Sequence, residues 1–167
     1  MSIASALLPE FDHEMATTRR VLERVPAAKF GWKAHEKSYF LGQVALHLSN
    51  IPHWFPIMVS APELDFGAMP RPKYEQPASL EAVLEAFDKN VAEARAALAS
   101  ASDEVMLGTW TGRTGDKIHF AAPRAAMFRS FVMSHMIHHR GQLSVYLRLL
   151  DVPVPQIYGP TADERDM

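Results

Sequence analysis

The sequence predicts an all-α protein: a four-helix bundle with a small β-hairpin insert before its last helix. Three observations carry this. Four stretches repeat apolar residues at steps of three and four, the spacing of a helix with one buried face. A short run of β-branched and aromatic residues around a Gly-rich segment reads instead as a hairpin. The composition, 48% hydrophobic and 22% charged over 167 residues, is that of an ordinary globular chain of one domain, spanning 1–167.

The first helix covers 2–25, with Ile3, Leu7, Phe11, Met15, Thr18, Leu22 and Val25 on one face, and Pro26 ends it. Phe30-Gly31-Trp32-Lys33 forms a linker. Ser38 then reads as the N-cap of a second helix that runs to Ile51, with Phe40, Leu41, Val44, Leu48 and Ile51 inward. Pro52 kinks or ends it, because proline lacks the donor and clashes one turn back. Pro62, Gly67, Pro70, Pro72 and Pro77 make 60–78 a long loop, which would let consecutive helices run parallel. Ser79 caps a third helix to about Ala99, with Leu80, Val83, Leu84, Phe87, Val91 and Leu98 inward.

The hairpin occupies 105–121, its turn placed at Gly112-Arg113-Thr114-Gly115-Asp116. Pro123 opens the last helix, which runs to Leu150, and a polar surface tail follows.

Composition excludes several functions. Seventeen basic against nineteen acidic residues leave no basic face for nucleic acid. No cysteine means no disulfide, thiolate nucleophile or Cys-built zinc finger, and fits a cytoplasmic setting. No apolar run is long enough to span a membrane, and the first residues do not read as a signal peptide. No dinucleotide fingerprint, P-loop or Gly-x-Ser-x-Gly elbow occurs.

Eight histidines remain as the unusual feature. His135 and His139 stand at i and i+4, one turn apart on one helix face, the spacing by which a helix offers two imidazoles to one metal. At about 100° per residue, Phe128, Phe131, Val132, Tyr146, Leu149 and Leu150 form a stripe with this pair in its middle. His138 falls at its edge and Arg140 well outside. Two imidazoles in a buried stripe are costly unless hydrogen-bonded or metal-bound, and both readings fit the spacing. Catalytic zinc takes three protein ligands plus water, and His47, flanking the second helix's stripe, is the third candidate. His53 lies on the opposite face. His13, His35 and His119 read as surface groups. Met136 stands where a zinc protease of the His-Glu-x-x-His type keeps its general base, so no base is identified.

Several stretches together resemble the DinB/YfiT-like superfamily of metal-binding helical bundles. They are Phe30 to Ser38, Leu41-Gly42-Gln43-Val44-Ala45-Leu46-His47-Leu48, His135 to Leu143, and Asp151 to Pro160. The resemblance covers about 2–163. It implies up-down-down-up connectivity and one divalent ion, nickel or zinc, on His47, His135 and His139. It also implies a homodimer. Some members are thiol-dependent transferases or isomerases, others look like metal-dependent hydrolases of small molecules, and many have no known reaction; a low-molecular-weight thiol would need a cationic or hydrogen-bonding cradle, for which this sequence offers Arg140, Arg113 and Lys33. A non-catalytic, metal-stabilised interaction module is the alternative, and would need His13 or Glu14 to close the shell.

Overall fold

The computed structural model describes residues 2–70 and 75–165; Pro72 of the expected loop and the extreme ends lie outside them. The chain is mostly helical, with a small three-stranded sheet. Helix α1 (Ile3–Leu22) is capped by Ser2, whose side chain accepts from the Ser5 N–H at 3.1 Å. Phe11, Met15, Thr18 and Leu22 are buried along it, as the three-four pattern requires. Two tight i→i+3 bonds then turn the chain before Pro26.

Helix α2 (Leu41–Asn50) starts two residues later than a Ser38 cap would place it. The physical reason lies in who accepts its first N–H groups. Leu41 donates to the Trp32 carbonyl at 2.8 Å, Gly42 to Phe30 at 3.0 Å, and the Phe40 N–H to Gln43 Oε1 at 3.1 Å. The linker therefore replaces a side-chain cap. At Pro52 the chain tightens into a 3₁₀ turn, Ile51–His53, and continues as α3 (Trp54–Ser60).

The expected loop contains a strand, β1 (Glu63–Asp65), and a 3₁₀ turn, Phe66–Ala68. Helix α4 (Leu80–Ser100) begins at its expected cap, Ser79, which accepts from Ala82 at 3.1 Å. The short α5 (Asp103–Leu107) precedes the hairpin β2 (Thr109–Thr114) and β3 (Lys117–Pro123). Strand β1 pairs in parallel with β2, and β2 antiparallel with β3. The hairpin turn is shorter than the Gly-rich run suggested. Only Gly115, at φ +54°, needs glycine's freedom, while Gly112 lies within β2.

Gly112 has a different reason. A Cβ there would sit 2.3 Å from the Phe120 ring and 2.9 Å from Phe66. That ring is hemmed in by Trp110, stacked at 5.7 Å, and by Phe131 at 5.5 Å. Gly112→Ala is therefore expected to destabilise the protein by about 1–3 kcal/mol, the usual cost of overpacking. Urea unfolding reads it, and an unchanged midpoint would mean that Phe120 has room to swing.

The last helical segment begins at α6 (Arg124–Met127), passes through a π-helical stretch, Phe128–Ser134, and ends as α7 (His135–Leu149). The π stretch overturns the angular reading of this helix. Its i→i+5 bonding takes up an extra residue per turn, so a 100° count carried across it misplaces everything beyond. In α7 the buried residues are Met136, Arg140, Leu143 and Leu147. His135 and His139 flank that stripe, half-buried, and Arg140 is inside it at 1% exposure.

Helices α1, α2, α4 and α7 share one core, in which α1 and α2 each pack on both α4 and α7. Arg124 fastens the sheet to this core. Its guanidinium donates to the carbonyls of Met58 (2.5 Å), Ala61 (3.0 Å), Gly108 (3.1 Å) and Thr109 (3.2 Å). The tail is latched rather than loose. Val154 is buried, Glu164 pairs with Arg20 and Arg24, and Asp163 pairs with Arg148. Among the described residues, no helix is long and apolar enough to cross a membrane.

Candidate metal centre

Of the eight histidines, His13, His35, His53, His119 and His138 are exposed. The other three, His47 from α2 with His135 and His139 from α7, converge. One ring nitrogen from each lies within 4.8 Å of the others. His47 Nε2 and His135 Nε2 are 3.1 Å apart. Two nitrogens each about 2.0–2.1 Å from one ion stand roughly 3 Å apart, so this separation fits a shared metal.

The donor chemistry fits as well. Burial lowers the His47 pKa from 6.5 to about 4, and the neighbouring His139 and His135 rings add to the shift. Burial also lowers His135, against an opposing contribution from the Phe131 backbone, and lowers His139, against an opposing hydrogen bond to Gln142. All three rings are thus held in the neutral, ligating form at neutral pH. His139 Nδ1 lies 2.7 Å from Gln142 Oε1. Oε1 can only accept, so Nδ1 carries the proton and Nε2 keeps its lone pair for a metal. His135 Nδ1 is buried without a hydrogen bond.

These shifts give a pH signature. Between about pH 6.5 and 4 the unfolded chain binds protons that folded His47 refuses. Stability of the chelated, metal-free protein is full above that window and falls as pH drops through it. Urea titrations at pH 7 and pH 5 are expected to show this loss, and to show less of it in His47→Gln. Equal losses in both proteins would remove His47 as its source.

The three rings line a cleft of about 560 Å³ together with Tyr39, Gln43, Val44, Leu46, Asn50, Trp54 and Glu75. Gln43 Oε1 is taken by the Phe40 N–H, leaving its amide N–H groups for the cleft. Asn50 donates to the Leu46 carbonyl at 2.9 Å, leaving its oxygen. Trp54 is wedged edge-on against Phe66 and Phe131.

Neither residue expected to close the shell does so. His13 is exposed, and Glu14 is buried against Arg140, with Oε2 2.6 Å from the guanidinium. Tyr158 donates to Glu14 Oε1 at 2.9 Å, and Arg140 lies 5.1 Å from the Tyr158 ring. The candidate thiol-binding cations are elsewhere too. Arg140 is in that buried pair, Arg113 pairs with Glu63 and Asp65, and Lys33 donates to the Glu36 carbonyl. Glu75 was not singled out from the sequence; it lay in a stretch read only as loop.

Fold and site together define a mostly helical protein with a three-histidine cluster that could hold a metal ion. A model of the DinB family matches residues 1–166, and the chain belongs to that family. The uncharacterized protein YrdA of Bacillus subtilis (strain 168) is 25% identical over 161 residues, 94% of this chain and 89% of YrdA. Two crystal structures share the fold. A DinB-like protein from Bacillus cereus ATCC 10987 superposes with a TM-score of 0.67 at 20% identity, covering 92% of this chain and 97% of that one. The DinB-like YjoA of Bacillus subtilis gives 0.70 at 18% identity, covering 91% and 97%.

Proposed function

We propose that this protein is a metal-dependent hydrolase of a small molecule, with His47, His135 and His139 as the ligands of one nickel or zinc ion. The observation that carries the reading is the open shell: three neutral imidazoles at a cleft, with no fourth His or carboxylate joining them among the described residues. An ion held this way supplies Lewis acidity, which polarises a carbonyl and makes water nucleophilic at neutral pH.

The chain's own groups do the rest. Gln142 holds the His139 ring in its ligating tautomer. Gln43 offers donors and Asn50 an acceptor for orienting a substrate. Trp54, Tyr39 and Val44 give the cleft an apolar lining. In the hydrolysis, the oxygen of water bonds to the carbonyl carbon, the C–O or C–N bond breaks, and the leaving group takes up the proton.

A thiol-dependent transferase is the weaker reading. Low-molecular-weight thiols carry carboxylates that ask for a cation, and no Lys or Arg lines the cleft among the described residues. An interaction module would need a closed shell, which the cluster does not have. The same reading takes the four long helices as an up-down-down-up bundle forming a single domain, acting as a cytoplasmic homodimer that engages neither nucleic acid nor membrane.

The test is a panel of small activated esters, amides and lactones assayed with the zinc- or nickel-loaded protein. Turnover that chelation abolishes, that the ion restores, and that His47→Ala lacks is the expected result. Turnover that appears only when a low-molecular-weight thiol is added would replace the hydrolase by the transferase.

A further inference from the structure

Resting on the three-histidine reading of the metal centre, we infer that Arg140 and Glu14 are its positioning residues: their buried ion pair sets the rotation of α7 about its axis, and so whether His135 and His139 meet His47. Neither residue lines the cleft, so the pair acts through the helix alone. Arg140 follows His139 directly, and at about 100° per residue its side chain leaves α7 roughly a quarter-turn further round. One turn of α7 therefore presents a ligand to His47 on α2 and a guanidinium to Glu14 on α1.

The contacts on the α1 side are directional. Arg140 Nη2 lies 2.6 Å from Glu14 Oε2, and Nη1 donates to the Glu14 carbonyl at 3.1 Å and to the Thr18 hydroxyl at 3.2 Å. Thr18 donates to the same carbonyl at 2.8 Å, and the Tyr158 hydroxyl donates to Glu14 Oε1 at 2.9 Å. The rest of the buried stripe on α7 is Met136, Leu143 and Leu147. Apolar contact of that kind is non-directional and lets a helix roll. The π stretch adds a residue to the turn immediately before His135, so the α-helical phase of α6 does not carry through to α7. A side-chain tip stands about 5–6 Å from a helix axis, so a roll of about 10° moves it by about 1 Å. A ligand set has to be held within about 0.5 Å. A buried ion pair adds little stability over apolar groups of its volume; what this one adds is a single arrangement.

The test compares zinc affinity, by chelator competition on the full chain, in wild type and in Arg140→Met combined with Glu14→Leu. The expected result is about tenfold weaker zinc binding in a variant whose urea midpoint stays close to wild type. Arg95→Gln with Asp12→Asn, which removes an exposed ion pair between α4 and α1, is expected to keep wild-type affinity. Unchanged affinity in the folded Arg140–Glu14 variant, or equal weakening in both paired variants, would overturn the inference. Should the first variant not fold, Thr18→Val decides, since it takes one bond from the guanidinium and keeps the ion pair. About threefold weaker zinc binding is then expected, and wild-type affinity overturns the role. Metal-free protein separates this question from the ligand assignment. The His47 ring lies 4.9 Å from that of His135 and 4.5 Å from that of His139, and nuclear Overhauser contacts between them are expected in wild type and lost in the Arg140–Glu14 variant. If wild type takes up no zinc, the ligand reading falls and these contacts still decide: their persistence in the variant overturns the positioning role.

Discussion

Replacing Arg140 by Ala is expected to cost about 3–5 kcal/mol of stability, enough to unfold a marginal domain at 37 °C. Arg140 is 1% exposed and Glu14 5% exposed, and they face each other at 2.6 Å between α7 and α1. Removing the guanidinium leaves a buried carboxylate with only the Tyr158 hydroxyl as a strong partner. It also strips the Glu14 carbonyl and the Thr18 hydroxyl of their bonds from Arg140 Nη1. Two neutral changes bracket the effect. Glu14→Gln alone is expected to be costly in the same direction, because it leaves the cation buried. Arg140→Met combined with Glu14→Leu is expected to recover most of the loss, since a buried ion pair replaced by apolar groups of similar volume is often close to neutral. Thermal and urea unfolding of the three variants check this. A double variant as unstable as the sum of the singles would show that the pair does more than satisfy itself.

The second large effect is on metal affinity. His135→Ala is expected to weaken binding by more than a hundredfold. Four-ligand structural zinc sites are worth about 10–16 kcal/mol, or on the order of 3 kcal/mol per ligand. His138→Ala is the matched control. It removes an imidazole beside His139, with ring centroids 5.0 Å apart, but this ring is exposed and stands outside the cluster. Competition with a chromophoric chelator measures both. Equal weakening in the two variants would assign the effect to general charge rather than to ligation.

Much of the site could be read from the sequence, though not for the reason the stripe argument offered. The i,i+4 spacing of His135 and His139 placed both on one face, and that holds because both lie beyond the π segment in regular α-helix. Their assignment to the middle of the buried stripe failed twice over: Phe128, Phe131 and Val132 lie within the π segment, and of the stripe's members beyond it Leu149 is exposed and Tyr146 and Leu150 are only half-buried. A period count has no signal for i→i+5 bonding. Arg140 was set outside the core because the stripe was centred on residues such as Leu149 that are exposed, and because an arginine on a helix reads as solvated. Its partner lies 126 positions away in sequence. The hint that existed was Glu14 itself, at helical spacing from Phe11 and Thr18 on a buried face.

Helix ends were legible where a side chain caps the helix, as at Ser79. They were not where tertiary contacts do, as at Leu41, whose N–H is satisfied by Trp32. The strand Glu63–Asp65 is three residues long and exists only through pairing with β2. Local propensity cannot reveal such a strand.

The most direct test of the metal centre is elemental mass spectrometry on the untagged wild-type protein, as purified and after reconstitution with nickel or zinc. The account predicts about one divalent ion per chain. Protein that is metal-free as isolated and takes up neither nickel, zinc, iron nor manganese would contradict it, leaving the three histidines as a hydrogen-bonded cluster at the edge of the core.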